Sequence, residues 1–356
     1  MEVTLAKKRK TKIGFIGGGG ISRHHMKYLA EMDDVELVGV ADVSEDALAL
    51  CSEQFGFSNC FTDYKDLLKI KDLQAVTVGT PNGMHHQPTL DALNAGKDVL
   101  VEKPMAMSPA EATEMVKAAR KKKRLLVIGF QHRFSAAAQM LKRSIDDDQF
   151  GNVMYARCLA LRRRGIPNWG VFGRKDLQGG GALIDIGVHM IEAAHYLMGS
   201  PQPVSAYGSS YTYIGDKPSD TVSSWPNWDY KSYNVEDLAV GMVRFDNGAT
   251  LSVEASFAAH IGKDEWTFTL MGDKGGGQFN PPMIFKDESD TMVNLSPEFL
   301  PNTDEFRHKL RHFVDCVQTG NPSDAPGEHG LLVQQILNGI YESADTGHEV
   351  KIKKLV

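Results

Sequence analysis

The chain has 356 residues, 42% of them hydrophobic and 24% charged, proportions of a soluble globular protein long enough for two separate cores. A net charge of −6 leaves no global basic field for a nucleic acid. No apolar run reaches the ~18 residues of a membrane span and no signal-like apolar stretch follows the start, so neither a membrane partner nor secretion is expected and the cytoplasm is the expected compartment.

A short basic tail (Lys7, Lys8, Arg9, Lys10 and Lys12) reads as a solvated terminus. Lys12–Ile16 is a short apolar strand, followed at once by Gly17, Gly18, Gly19 and Gly20. Residues 21–32 then read as a helix, and Val35–Val40 as a second strand running into Asp42. Strand, glycine loop, helix, strand and acid in that order form the setting of a dinucleotide site. Gly17, Gly19 and Gly20 let the backbone approach a pyrophosphate, and Ile21 opens a helix whose N–H groups face its charge. Ser22 stands where that fingerprint has its third glycine, a departure a small side chain accommodates. Asp42 follows Gly20 by about twenty residues, where a carboxylate accepts from the adenosine ribose hydroxyls and repels a 2′-phosphate. Its neighbours Ala41, Val43 and Ser44 bring no cation, which favours NAD over NADP.

The alternation continues. Ser44–Phe55 is helical, Ala75–Gly79 a strand, and Met84–Ala95 a helix stopped by Gly96. Asp98–Val101 is a strand, Pro109–Lys121 a helix and Leu125–Gly129 a strand. Alternation of this kind builds a doubly wound parallel sheet, which binds ligands at the carboxyl ends of its strands. Polar groups gather at three such ends: Thr80, Asn82 and His85, then Glu102 and Lys103, then Gln131, His132 and Arg133. Of these, Thr80, Asn82, His85, Glu102, Lys103, Gln131 and Arg133 are taken as cofactor-facing candidates.

Past Ser135 the rhythm changes, which divides the chain into a dinucleotide domain at 1–133 and a second domain at 134–356. Strand-like runs (Val153–Leu161, Val204–Tyr211, Leu238–Phe245, Thr250–Phe257 and Glu265–Met271) follow one another across turns such as Asp246-Asn247-Gly248. They suggest an α+β domain built on a mainly antiparallel sheet, with helices at Gly181–Met198, Glu305–Thr319 and Leu331–Thr346, and a last short strand at Glu349–Ile352. The loop Gly215–Tyr233 is long and holds Trp225 and Trp228, which argue against disorder. Cys51, Cys60, Cys158 and Cys316 have no metal-binding spacing and suit a reducing compartment.

Within that domain Gln178–Gly199 (QGGGALIDIGVHMIEAAHYLMG) stands out. Its residues are mostly apolar or small, yet Asp185, His189, Glu192 and Tyr196 fall within an arc of roughly 60° on an α-helix. A buried carboxylate and imidazole must meet polar groups or a ligand. His195 lies roughly 80° away from Asp185, so a metal site on Asp185, His189 and His195 is not expected.

These segments resemble the Gfo/Idh/MocA family of oxidoreductases, the glucose–fructose oxidoreductase and inositol dehydrogenase group. The matching pieces are GFIGGGGI with His25 downstream, VGVAD, TPNGMHH, AGKDVLVEKPMA, GFQHRF, GGGALIDIGVH, VEDLAV and LMGDKGG, in family order and over nearly the whole chain. The resemblance implies a Rossmann domain, a C-terminal α+β domain with a large, open, mainly antiparallel sheet, and a nicotinamide between them. It also implies no metal, and a homodimer or homotetramer formed through the C-terminal sheet. It places Lys103 beside the nicotinamide and the reacting hydroxyl, makes His189 the acid/base, and makes Asp185 a carboxylate that orients substrate or imidazole. Family members commonly carry Asp three residues after the histidine; this chain has Glu192.

Oxidising a secondary alcohol needs a base for the O–H proton as hydride leaves carbon, and a histidine works near neutral pH with little tuning. A nearby lysine lowers the hydroxyl's pKa and stabilises developing alkoxide. Sequence alone leaves open which of Lys103 and His189 takes the proton. Arg163, Asn168 and Trp169, in the stretch after Leu161, are the substrate-binding candidates beside Lys103, Asp185 and His189. Arginine, amide and aromatic together suit a neutral sugar, glycoside, anhydrosugar or cyclitol. Two other classes use the same fold: a glycosidase or lyase that retains its NAD and acts by transient oxidation and elimination, and a non-catalytic NAD-binding regulator.

Overall fold

The computed structural model describes residues 10–356; Lys7, Lys8 and Arg9 of the basic tail lie outside the described residues. The first sheet has six parallel strands: β1 (Thr11–Ile16), β2 (Val35–Ala41), β3 (Cys60–Phe61), β4 (Ala75–Val78), β5 (Asp98–Val101) and β6 (Leu126–Ile128). Their order is β3-β2-β1-β4-β5-β6, the doubly wound arrangement. Continuous apolar runs make these strands, since helices cover both faces: Ile13, Phe15, Val76, Val78, Val99, Leu100 and Val101 are all fully buried. The helices are α1 (Gly20–Ala30), α2 (Glu45–Phe55), α3 (Tyr64–Leu68), α4 (His86–Asn94) and α5 (Pro109–Lys122). Local chemistry sets their ends. Ser44 caps α2 by accepting from the Ala47 N–H, Ser108 caps α5 in front of a first-turn proline, and Gly56 stops α2 at φ 72°.

A helix that the sequence rhythm hid, α6 (Ala136–Asp146), leads into the second sheet. Nine strands make that sheet: β7 (Val153–Leu161), β8 (Pro203–Tyr211), β9 (Leu238–Phe245), β10 (Thr250–Ser256), β11 (Glu265–Gly272), β12 (Gly275–Gln278), β13 (Met283–Glu288), β14 (Thr291–Leu295) and β15 (Val350–Lys351). The order is β14-β13-β12-β11-β7-β10-β9-β8-β15, antiparallel throughout except for the β7–β10 pair. The glycine-rich β12 and the short β13 and β14, whose apolar residues come in adjacent blocks, carry no apolar alternation, so periodicity does not reveal them. Between β7 and β15 lie α7 (Lys175–Gln178), α8 (Val188–Leu197), α9 (Glu305–Thr319) and α10 (Gly327–Thr346).

One face of this sheet carries α8 and α10, while α10 also packs on α5 and α9 on α1. A backbone bond from the Ile128 N–H to the Ala325 carbonyl (2.9 Å) and a bridge between Val127 and Pro326 join the first sheet to the segment before α10. The second domain is thus wrapped against the first along several elements, which fixes the cleft between them.

Candidate active site

A cavity of about 490 Å³ opens where the carboxyl ends of β1, β4 and β5 meet residues 169–172 and the turn that leads into α8. Gly17 holds φ at 99°, and a Cβ there would stand 2.9 Å from the Gly79 carbonyl oxygen. By contrast nothing lies within 4 Å of a Cβ built on Gly19 or Gly20, and both line the cavity. Gly19 is the N-cap of α1 and brings no side chain to its first N–H groups, so the helix offers an open cradle for an anion. Ser22 explains its own departure from the fingerprint. Its hydroxyl packs under Gly79, where a Cβ would stand 2.4 Å from Oγ, so the helix keeps its close approach to β4 by leaving the strand end bare.

Asp42 sits behind the same loop. Its Oδ2 accepts the Gly18 N–H at 2.6 Å and its Oδ1 the Ser44 N–H at 2.8 Å. Arg23, in the first turn of α1, donates to the Gly18 carbonyl at 2.6 Å. An uncapped helix start, bare glycines and a pinned carboxylate at the next strand end together fit a dinucleotide.

Farther along the cavity, Thr80 Oγ1 donates to the Met84 carbonyl (3.0 Å) and Asn82 Nδ2 to the Gln178 carbonyl (3.0 Å), which ties the β4 end to the second domain. His85 is buried, with Nδ1 2.8 Å from the Pro104 carbonyl and Nε2 2.9 Å from the Thr80 carbonyl. Burial outweighs those two contacts and lowers its pKa.

Opposite stand the ionisable groups. Lys103 Nζ donates to Asp185 Oδ1 at 2.9 Å and to the Asp185 carbonyl at 2.7 Å. The expected single helix over 181–198 is instead a π-turn at Leu183–Gly187 continuing into α8, and Asp185 lies in that wider turn. Such turns recur at functional sites. His189 is buried one turn on, 3.4 Å from the Gln131 amide nitrogen through Nδ1, with its ring edge-on to His132 (centroids 5.1 Å) and tilted to Trp266 (5.9 Å). Burial first, then the Lys103 ammonium and the neighbouring His132, holds its pKa well below the ordinary histidine value. The imidazole is therefore neutral at pH 7, and the expectation of a histidine needing little tuning gives way to one strongly tuned by its surroundings.

Trp169, half exposed at 50%, lines the cavity with Val171 and Phe172. Its ring meets Trp225 edge-on at 4.7 Å, and the Arg162 guanidinium lies 4.9 Å over Trp225. Arg162 and Trp225 thus back the aromatic wall, and Gln178 and Phe306 line the cavity itself. Neither Gln178 nor Phe306 was expected in the site from the sequence. Phe306 is on the apolar side of an amphipathic helix, where nothing local separates a core residue from a cavity wall.

Three sequence candidates fall elsewhere. Arg133 is fully buried and does not line the cavity: Nε donates to Glu192 Oε2 (2.7 Å), Nη1 donates to the Asp324 carbonyl (2.7 Å) and lies 2.8 Å from His329 Nδ1, and the guanidinium lies 4.6 Å over Tyr196. Residues 131–134 form a short 3-10 helix, in which Gln131 and Arg133 point to different sides; only Gln131 reaches the cavity. Glu192 and Tyr196, on the polar stripe read from the sequence, are the partners that hold Arg133. Arg163 donates weakly to the Gly262 carbonyl (3.4 Å) and lines a separate hollow with Arg164 and His260. Asn168 Nδ2 donates to the Pro226 carbonyl (2.7 Å) beside the cavity rather than within it. His195 stacks on Phe245 with Nε2 2.7 Å from the Pro201 carbonyl. Among the described residues no group of three or more His, Cys, Asp or Glu is placed to hold a metal ion, and no helix is long and apolar enough to cross a membrane.

Comparison with known proteins finds two family models on this chain. The GFO_IDH_MocA model "Oxidoreductase family, NAD-binding Rossmann fold" matches residues 11–130, and its companion "Oxidoreductase family, C-terminal alpha/beta domain" matches residues 142–352. A D-glucoside 3-dehydrogenase of Escherichia coli is 34% identical over 343 residues, covering 96% of this chain and 97% of the relative. A levoglucosan dehydrogenase of Pseudarthrobacter phenanthrenivorans is 30% identical over 287 residues, 75% of this chain and 73% of the relative. A solved levoglucosan dehydrogenase in complex with NADH and levoglucosan shares the fold with a TM-score of 0.84 at 24% identity, over 97% of this chain and 100% of that one.

Proposed function

This chain belongs to the Gfo/Idh/MocA oxidoreductases, and from that premise we propose that it oxidises one ring hydroxyl of a neutral glycoside or related sugar, with NAD preferred over NADP. It is a dehydrogenase acting on sugar CH–OH and it uses NAD(H). One observation carries the finer reading: a single cavity brings the bare glycine loop together with the Lys103–Asp185 pair and the neutral His189.

In this reading residues 1–133 hold the cofactor, and residues 134–356 supply the substrate wall and the oligomer face. Gly17, Gly19, Gly20 and Ile21 receive the pyrophosphate, and Asp42 the adenosine ribose. Thr80, Asn82, His85, Glu102 and Gln131 line the way to the nicotinamide, which when bound supplies the hydride acceptor. Lys103 donates to the substrate hydroxyl and lowers its pKa. Asp185 holds the Lys103 ammonium in place and accepts from a neighbouring sugar hydroxyl. His189, uncharged, takes the hydroxyl proton as the C–H hydride leaves, so that alcohol becomes ketone and imidazole becomes imidazolium. Trp169 offers its flat face to the apolar side of a pyranose. The anchored Asp42 carboxylate disfavours a 2′-phosphate, while Arg23 is already engaged by the Gly18 carbonyl.

The substrate class is supported by the two relatives, whose names give a D-glucoside and levoglucosan, and by the aromatic side chains of Trp169 and Phe172 on the cavity wall. The test is NADH absorbance with NAD or NADP against alkyl glucosides, levoglucosan, inositols and sugar phosphates. Glucosides or levoglucosan with NAD should give NADH, and Lys103→Ala or His189→Ala should lower kcat at least about a hundredfold. Cleavage of a glycoside without net NADH would replace this reading with that of a retained-NAD glycosidase.

We further propose a homodimer or homotetramer formed through the open face of the nine-stranded sheet. That face exposes Tyr207, Tyr211, Met242 and Met271, an apolar set that solvent alone does not explain.

A further inference from the structure

Lys309, on α9, has no exposed surface. Its ammonium donates to Glu102 Oε1 at 2.6 Å and lies 3.1 Å from His25 Nε2, and that nitrogen lies 3.0 Å from the same carboxylate oxygen. A lysine that stays charged away from water is stabilised by a carboxylate that answers it. The other carboxylate oxygen, Oε2, accepts the Lys103 N–H at 3.3 Å, and Glu102 lines the cavity that holds Lys103, Asp185 and His189. Its place leaves no slack: a Cβ on Gly129 would stand 2.5 Å from Oε1. The same ammonium lies 4.8 Å over the ring of Phe306, which is itself a cavity wall. One buried charge thus clamps three elements: α1, whose start faces the pyrophosphate site, the β5 end that carries Lys103, and α9 of the second domain.

We propose that Lys309 is a positioning residue for the nicotinamide end of the cofactor site: it fixes Glu102 against α1 and balances its charge, so that the nicotinamide meets a neutral ion pair instead of a bare anion. The inference rests on the reading above, in which the nicotinamide lies beside Lys103 and His189. An oxidised nicotinamide ring is positive and a reduced one neutral. A lone carboxylate at the ring would favour the oxidised form and resist hydride uptake. Paired with an ammonium, it discriminates far less, and both forms bind with comparable strength.

The groups facing Glu102 are Lys309 from α9, His24 and His25 from α1, His85 from the turn before α4, His189 from α8 and Lys103 from its own loop. Burial pushes His25 down to about 4, and His24, His85 and His189 are likewise lowered, so the lysines are the cations at pH 7. Burial alone would raise the Glu102 carboxyl; Lys309 and His25 more than reverse it and hold it well below the usual range. Without Lys309, Glu102 would titrate at higher pH and would be unbalanced once ionised.

The test is equilibrium binding of NAD and of NADH to the full chain between pH 6 and 9, followed by quenching of tryptophan fluorescence and without turnover. The wild-type ratio of the two affinities should be independent of pH. In Lys309→Met it should move towards NAD as pH rises, by roughly tenfold relative to wild type, and Lys309→Arg should restore it. Glu102→Gln, which leaves Lys309 unanswered, should move the ratio the opposite way, and it carries the test if Lys309→Met does not fold. Wild-type ratios in both variants at every pH overturn the inference while leaving the proposed function intact. A wild-type protein that binds neither nucleotide overturns the proposed function, and the inference with it.

Discussion

A histidine in water titrates near pH 6.5, whereas His189 is sealed beside Lys103 and His132 and protonates only in much more acidic solution. A lowered pKa keeps the proton-accepting form populated as pH falls through 6.5, so that form is lost only at the depressed value. Sugar oxidation is therefore expected to show kcat/KM without an inflection between pH 6 and 7, with its acidic limb below that range. A pH profile with a limb at 6.5 would mean that an unburied imidazole is the base. In the proposed mechanism so weak a base leaves it to the Lys103 ammonium to bring the hydroxyl's pKa down, a role that its two bonds to Asp185 suit.

At the scale of the element, the contact between α1 and β4 decides whether the helix start reaches its ligand. Ser22 and Gly79 share the space that a glycine facing any small residue would occupy in the usual fingerprint. Gly79→Ala would put a methyl group 2.4 Å from the serine hydroxyl and push α1 off the sheet. Overpacking of this kind costs about 1–3 kcal/mol, so a lower Tm and weaker NAD binding are expected together. Adding Ser22→Gly should recover both, and a Gly79→Ala protein with unchanged Tm and NAD affinity would refute this account of the departure. The neighbouring polar stripe splits its labour. Asp185 and His189 face the cavity, while Glu192 and Tyr196 turn to Arg133, so half of it lines the cavity and half meets a buried guanidinium behind it.

For the whole molecule the open sheet is the unfinished surface. Helices α8 and α10 cover one face; on the other Tyr207 is 55% and Met242 48% exposed on adjacent strands. These two residues sit directly opposite each other in the β8–β9 register, so Tyr207→Glu with Met242→Lys would place an ion pair where an interface needs apolar contact. Sedimentation should show an oligomer for the wild type and a monomer for the double variant. A monomeric wild type would remove the proposed assembly.

The chain's own order determined what depends on neighbours a few residues apart. The β1 run, the glycine loop and Asp42 are legible because strand period, turn chemistry and helix capping act within a dozen residues. Family-specific stretches such as Glu102-Lys103-Pro104 and Asp185–His189 were legible for the same reason, being contiguous. Tertiary structure alone decided whatever joins distant segments. Lys309 meets Glu102 across 207 positions and Lys103 meets Asp185 across 82, and no periodicity records either distance. The inward turn of Arg133, the hidden β12–β14 and the cavity role of Phe306 belong to the same class. Local forces choose the element, but burial against a distant partner decides which side chain faces a ligand, which one neutralises a neighbour, and at what pH an imidazole can take a proton.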